Sequence, residues 1–333
     1  MSAPRGKRVV VVTGASAGVG RAAARAFADD GAAVALLARH RGRLDAACDE
    51  IRAAGGTAIG IVADVADADA VEAAAERVER ELGPIDVWVN NAMVTIVARI
   101  DDLKPDEVRR VTDVTYHGTV HGTLAALRRM RVRNRGTIVQ VGSALAYRSI
   151  PLQAPYCAAK AAARGFTDSL RAELIHDDSK IRVTMVHLSA FNTPQFDWAR
   201  NRTSQRLQPV PPIFQPEIAA RAIVRASHER HRELWVGWPA VKTIFFNRLA
   251  PWIADRVVAK QAFEGQHTDE PARAGRPDNL FATVDAPFAA HGRFDDRAEA
   301  SSRQQWLSKH ARPLTAAAAA AVVLIAAIAA LAM

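Results

Sequence analysis

The sequence predicts an α/β fold, a doubly wound parallel sheet in a single domain that carries a C-terminal extension. Three observations predict it. Short apolar runs alternate with stretches of helical period, and a glycine-bearing loop joins the first run to the first helix. The chain, at 333 residues, also exceeds one such domain by roughly a hundred residues.

The first run, Arg8-Val9-Val10-Val11-Val12, is continuously apolar after its arginine, as a strand buried on both faces must be. It enters Thr13-Gly14-Ala15-Ser16-Ala17-Gly18-Val19-Gly20, which opens an alanine-rich helical stretch from Arg21 to Asp30. Further strands are predicted from Val34 to Ala38, Ala58 to Ala63, Asp86 to Val89, Gly136 to Val141 and Ile181 to His187. Helical stretches such as Arg41 to Ala54 and Asp69 to Leu82 separate them. A sheet of this kind gathers ligands beyond the carboxyl ends of its strands. Gly14, Arg39, Asp64, Asn90, Ser143 and Leu188 fall at or just after those ends, so one crevice can collect them.

Two groups of residues carry chemistry. Gly14, Gly18 and Gly20 remove side chains where the backbone turns tightly and can approach a pyrophosphate, whose charge a helix N-terminus favours. The spacing is TGxxxGxG instead of GxGxxG, and glycines that only turn a strand into a helix remain an alternative. Tyr156 and Lys160 stand at i and i+4, on one helical face. A phenol of pKa about 10 is lowered by a neighbouring ammonium, which would make Tyr156 a general acid or base near neutrality. Ser143, from a separate strand end, would orient a substrate oxygen. Taken alone, the pair also fits an ordinary helix surface.

Together these residues resemble the short-chain dehydrogenase/reductase family. The resemblance runs from about Lys7 to Gly237 and includes Asp64-Val65 after the third strand and Asn90-Asn91-Ala92 after the fourth. It implies a Rossmann-type domain in which Gly14, Ser16, Gly18, Val19, Arg39, Asp64, Val65, Asn90, Asn91, Ala92, Tyr156, Lys160 and Thr193 hold a nicotinamide cofactor. It further implies that Ser143, Tyr156, Lys160 and Thr115 form the catalytic set, and that the chain pairs as a homodimer or homotetramer through the helices bearing Thr115 and Tyr156. At the end of the second strand Arg39, His40, Arg41 and Arg43 precede the first carboxylate, Asp45, which favours NADP(H) over NAD(H). Arg41 and Arg43 could instead solvate a helix start.

The chain departs from the family pattern at three places. Thr115 stands where the family carries an asparagine that helps hold a proton-relay water, so the relay is expected to be rearranged. Met93 replaces a glycine beside the cofactor cleft, and the segment Ser189-Ala190-Phe191-Asn192-Thr193 is a shortened form of PGxxxT.

Composition sets the outer bounds. Cys48 and Cys157 are the only cysteines, so neither a disulfide framework nor a zinc site is expected. The stretch from Met1 to Arg8 is short and polar, unlike a secretory leader, which places the expected catalytic domain (1–237) in a reducing cytosol. Residues 238–263 read as a basic amphipathic helical segment split at Pro251, suited to a membrane interface or to packing over the cleft or a second subunit. Residues 264–312, rich in Pro, Gly, Asp, Arg and Ala, read as a flexible linker. Leu314 to Met333 is 20 uncharged residues, long enough as a helix to span the ~30 Å of a bilayer core, although 11 of them are alanine. An anchor there is expected, with Lys309, His310 and Arg312 on the cytoplasmic side, and a helix packed on a partner or a low-complexity alanine tail are the alternatives. The net charge of +9 includes a dense run from Arg128 to Arg135. No aromatic interleaving accompanies that run, so a membrane surface is a better partner than nucleic acid.

The expected function is an NADP(H)-dependent interconversion of an alcohol and a carbonyl, with Tyr156 moving the proton. Phe191, Phe196, Trp198, Ile213 and Phe214 fall where the family covers its substrate, which points to a small lipophilic one. The alternatives are a non-catalytic NADP(H)-binding regulator at a membrane and an enzyme that uses the cofactor transiently, as epimerases do.

Overall fold

In the computed structural model, which describes residues 6–308, the apolar runs become strands joined by helices. In chain order these are β1 (Val9–Thr13), α1 (Gly18–Asp29), β2 (Ala33–Ala38), α2 (Arg41–Ala53), β3 (Thr57–Val62), α3 (Ala68–Leu82) and β4 (Ile85–Asn90). A short β5 (Ile96–Val97) precedes α4 (Pro105–Thr112), which passes through a π-helical turn, Asp113–His117, into α5 (Gly118–Arg133). Then come β6 (Gly136–Ser143), α6 (Ala154–His176), β7 (Ile181–Leu188), β8 (Ala190–Phe191), α7 (Gln195–Trp198), β9 (Arg200–Asn201), β10 (Gln205–Leu207) and β11 (Ile213–Phe214). The remainder is α8 (Pro216–His228), β12 (Glu233–Val236), α9 (Trp238–Leu249), α10 (Pro251–Val257), β13 (His267–Pro271) and β14 (Ala298–Glu299).

Seven parallel strands form the main sheet in the order β12-β7-β6-β4-β1-β2-β3. The order reverses between β1 and β4, which is the point where such a sheet opens a crevice. Alternate residues of β1 explain its unbroken hydrophobicity. Val10 and Val12 face one core with Phe27, Leu36 and Ile218, whereas Val9 and Val11 face a second with Trp88, Met130 and Ile138. The register pairs Ser143 with Leu188, so the ends of β6 and β7 reach the crevice together.

The basic run at the end of α5 is distributed over ion pairs. Arg128 and Arg129 meet Glu72, Arg131 meets Asp177, and Arg133 and Arg135 meet Asp86.

The amphipathic segment splits at Ala250, immediately before Pro251, because proline cannot supply the N–H that would continue α9. Ile244 turns inward against Ala144, while Phe245, Leu249, Trp252 and Ile253 remain exposed.

Composition predicts a flexible linker over 264–312, but its described part, 264–308, is paired and packed. β13 lies antiparallel to β10, and β14 adds to β11. Leu280 is fully buried and Phe294 nearly so. Arginines supply the order that composition conceals: Arg200 pairs with Asp278 at 2.9 Å and Arg276 donates to the Ala199 carbonyl at 2.5 Å. Among the described residues no helix is long and apolar enough to cross a membrane. The anchor expected at 314–333 lies outside the described residues.

Candidate active site

The loop after β1 is fixed to the end of β4 by one threonine. Thr13 Oγ1 accepts from the N–H groups of Asn91 and Ala92 at 2.9 and 3.1 Å, and Asn91 Nδ2 returns a bond to the Thr13 carbonyl at 2.9 Å. This close approach explains the glycines. A Cβ on Gly14 would lie 2.8 Å from Ala92 Cα, and one on Gly20 would lie 2.2 Å from the Gly14 carbonyl oxygen. Gly14 and Gly18 also adopt φ of +66° and +57°, which favour glycine. Ala17 offers α1 no side-chain cap, and the Gly18 N–H at its start donates to the Ala289 carbonyl at 3.0 Å.

A cavity of about 490 Å³ opens at this point, and its wall includes Gly14, Ser16, Gly18, Val19, Arg39, Asp64, Val65, Asn91, Ala92, Ser143, Tyr156, Lys160 and Thr193. Thirteen of the fifteen residues assigned from the sequence therefore share one cavity.

Two do not line it, for identifiable reasons. Asn90 is buried in a core network, where it accepts from Trp88 Nε1 at 2.8 Å and donates to Thr123 and Gln140. It braces the strand end instead of facing the cavity. Thr115 is also fully buried. Its hydroxyl donates to the Val94 carbonyl at 3.1 Å and accepts from the Val94 N–H at 3.2 Å, so its donor is already committed. In place of a relay water it clamps the segment after Met93.

Ser143 ends β6, and its hydroxyl accepts from the Leu145 N–H at 3.1 Å. Tyr156 comes from the first turns of α6, where helical spacing sets it beside Lys160 as expected. The electrostatics differ from that expectation. Burial pushes the Tyr156 phenol above the ordinary tyrosine range, and its hydrogen bond with Ser143 offsets only part of the rise. Lys160 does not reverse this: its ammonium donates to the Val141 carbonyl at 2.6 Å and stands 5.7 Å from the centre of the Tyr156 ring. Burial in turn lowers Lys160 to about 8.

Behind Ser143 lies a set of residues that no sequence motif announces. His187 Nδ1 is 3.0 Å from the Ser143 carbonyl, and Tyr147 donates to Glu233 at 2.7 Å. Burial alone would raise the Glu233 carboxyl, but hydrogen bonds from Tyr147 and Trp235, with the His187 ring nearby at 3.7 Å, hold it well below the carboxylate range. These residues sit on β7, β12 and the turn after β6, and only the strand register brings them together.

At the other end of the cavity Asp64 accepts from the Ala66 N–H at 3.0 Å and from Arg110 at 2.5 Å. Arg39 donates to the carbonyls of Asn279 and Phe281. Arg43, for which solvation was the alternative, is buried and lines the cavity, and its Nε has no hydrogen-bond partner. A glycine cradle that any Cβ would obstruct and a buried, unpartnered guanidinium donor both fit a phosphate-bearing dinucleotide.

Phe191 and Phe196 line the cavity as expected. Trp198 sits at the Arg43 end, 5.1 Å from its guanidinium carbon, while Ile213 and Phe214 are buried in β11. The inner sides of α9 and α10 contribute Ala240, Thr243 and Val257, so the amphipathic segment packs over the cleft.

Comparison with known proteins agrees with this geometry. The family model for short chain dehydrogenases matches residues 8–203. The uncharacterised oxidoreductase YxnA of Bacillus subtilis is 32% identical over 315 residues, covering 93% of this chain and 87% of its own length. Among solved structures, a short-chain dehydrogenase from Streptomyces avermitilis superposes with a TM-score of 0.65 at 28% identity, over 79% of this chain and 99% of that one. An alcohol dehydrogenase from Thermococcus sibiricus, complexed with 5-hydroxy-NADP, gives 0.60 at 28% identity over 69% of this chain and 96% of that one. The matched segment contains β1 through β7 with the glycine loop, Ser143, Tyr156 and Lys160, and the chain belongs to the short-chain dehydrogenase family.

Proposed function

We propose that this oxidoreductase uses NADP(H) to interconvert an alcohol and a carbonyl on a small lipophilic substrate, with Tyr156 as general acid and base. The observation that carries the reading is that Ser143, Tyr156 and Lys160 share one cavity with the glycine cradle. The dinucleotide, when bound, supplies or accepts the hydride. The remaining steps belong to the chain. In reduction, the buried Tyr156 phenol is protonated at neutral pH and gives its proton to the substrate oxygen. Ser143 orients that oxygen with its hydroxyl, and Lys160 braces the end of β6 at Val141. In oxidation the same phenol oxygen takes the proton back.

NADP(H) is favoured by Arg39 and Arg43 at the end of β2, with no carboxylate between them. A lipophilic substrate is favoured by Met93, Ile150, Leu188, Phe191, Phe196 and Val257 in the wall. The Thermococcus sibiricus relative held an NADP derivative, in keeping with this choice. As in the sequence-based reading, a homodimer or homotetramer is part of the proposal.

The commitment of Thr115 to Val94 favours one second reading, a protein that binds NADP(H) without turnover. Spectrophotometric NADPH and NADH oxidation by purified full-length protein, across steroid, retinoid, fatty-aldehyde and acyl-ketone panels, separates the two. Turnover with NADPH on a lipophilic carbonyl supports the enzyme. Tight cofactor binding without consumption on any panel member favours the binding protein.

A further inference from the structure

Arg43 has surroundings that a solvated helix start would not provide. Its residue is 8% exposed, its Nη1 donates to the carbonyls of Val284 and Ala286, and its Nε is buried without a partner. Arg39 donates through Nη2 to Asn279 at 2.6 Å and through Nη1 to Phe281 at 3.2 Å. Further along, Arg21 donates to the Phe288 carbonyl and the Gly18 N–H donates to that of Ala289 at 3.0 Å. Residues 279–289 thus follow the rim of the cavity from the end of β2 to the start of α1, and Asn279 and Thr283 form part of its wall.

Every acceptor that this segment offers to these donors is a neutral carbonyl. The nearby carboxylates are engaged elsewhere, Asp64 with Arg110 and Glu50 with Arg21. Asp285 is wholly exposed and lies 3.5 Å from His40. The buried Arg43 and half-buried Arg39 thus give their hydrogen bonds to neutral dipoles, with Asp285 and Asp64 acting on them only through space, an arrangement that an anion joining them would relieve. Burial lowers both Arg39 and Arg43, and each guanidinium still has donors to give.

We propose that residues 279–289, outside the segment matched by the family model, form the outer wall of a phosphomonoester pocket and position Arg39 and Arg43 to grip the 2′-phosphate of NADP(H). The C-terminal segment thereby sets cofactor choice. Phe288 anchors this wall, with its ring 4.7 Å from that of Trp198, which in turn lies against Arg43. The inference rests on the NADP(H) reading above.

Calorimetric titration of full-length wild type, Phe288→Ala, Arg43→Gln and Asp285→Asn with NADPH, NADH, 2′,5′-ADP, 5′-AMP and inorganic phosphate tests it. Phe288→Ala and Arg43→Gln should each weaken NADPH about tenfold while NADH stays within about twofold. Asp285→Asn, a surface change that removes a negative charge near Arg43, should strengthen NADPH about twofold. The ligand 2′,5′-ADP should bind far more tightly than 5′-AMP or inorganic phosphate. Equal losses for both cofactors in Phe288→Ala, or a preference unchanged in all three variants, would overturn the proposal alone. Inorganic phosphate binding as tightly as 2′,5′-ADP would overturn it too, by making the site one for free anions. A wild type that does not prefer NADPH would instead defeat the cofactor reading on which the proposal stands.

Discussion

Lys160 Nζ donates to the Val141 carbonyl at 2.6 Å and stands 5.7 Å from the centroid of the Tyr156 ring. Burial acts on the two groups in opposite directions, lowering the ammonium to about 8 and raising the phenol. Raising the pH therefore neutralises Lys160 before Tyr156 ionises. The site at neutral pH holds a protonated phenol next to an ammonium, which is the state that carbonyl reduction consumes.

The pH dependence of reduction follows from that order. The value of kcat/KM for a carbonyl substrate should be level from about pH 6 to 7.5 and fall above about 8, where Lys160 loses its proton. A profile taken with saturating NADPH checks this. A level profile to about pH 9.5 would remove Lys160 from the rate.

The same burial has a signature in stability. With a folded pKa near 8 and an ordinary value of 10.5, the unfolded chain binds more protons between those limits. Wild-type stability contributed by this group therefore rises with pH across that window, and the penalty of the buried ammonium is fully present below it. Lys160→Met should be more stable than wild type by about 2 kcal/mol at neutral pH, after allowing for the lost bond to Val141. Denaturant unfolding should show the difference shrinking toward pH 10.5, and a difference independent of pH would point to packing instead.

Two glycines make a paired test of the cradle. Gly165→Ala, in α6 with open space around it, should stabilise by about 0.5–1 kcal/mol. Gly20→Ala, whose methyl would meet the Gly14 carbonyl at 2.2 Å, should cost about 1–3 kcal/mol and abolish cofactor binding. Unfolding curves together with cofactor fluorescence report both quantities.

Thr115→Val should leave the buried N–H and C=O of Val94 without partners and cost about 1–3 kcal/mol. Thr115→Ser should recover most of it. The folded fraction of Thr115→Val should keep turnover within about tenfold of wild type, since the hydroxyl clamps backbone. A loss beyond a hundredfold in stably folded protein would restore Thr115 to a proton path.

How much of this was legible in the sequence depends on the range of the interactions. The β1 run, the glycine loop and the Tyr156/Lys160 pair are local patterns, and the fold kept each of them because the period and the burial agree. The Tyr156 shift was not legible, because desolvation depends on what the rest of the chain packs over the phenol. The same holds for Arg43, which is buried by carbonyls more than two hundred positions away, and for 264–308, whose polar composition hides long-range pairs such as Arg200 with Asp278. Thr115 was found by its position, but its role was set by Val94, which carries no motif.

If Tyr156 moves the proton while the cradle holds the cofactor independently, kcat and NADPH affinity measured side by side must separate in Tyr156→Phe. In Tyr156→Phe, kcat should fall at least about a hundredfold while the dissociation constant for NADPH stays within about threefold of wild type. Turnover by Tyr156→Phe within about tenfold of wild type would contradict it.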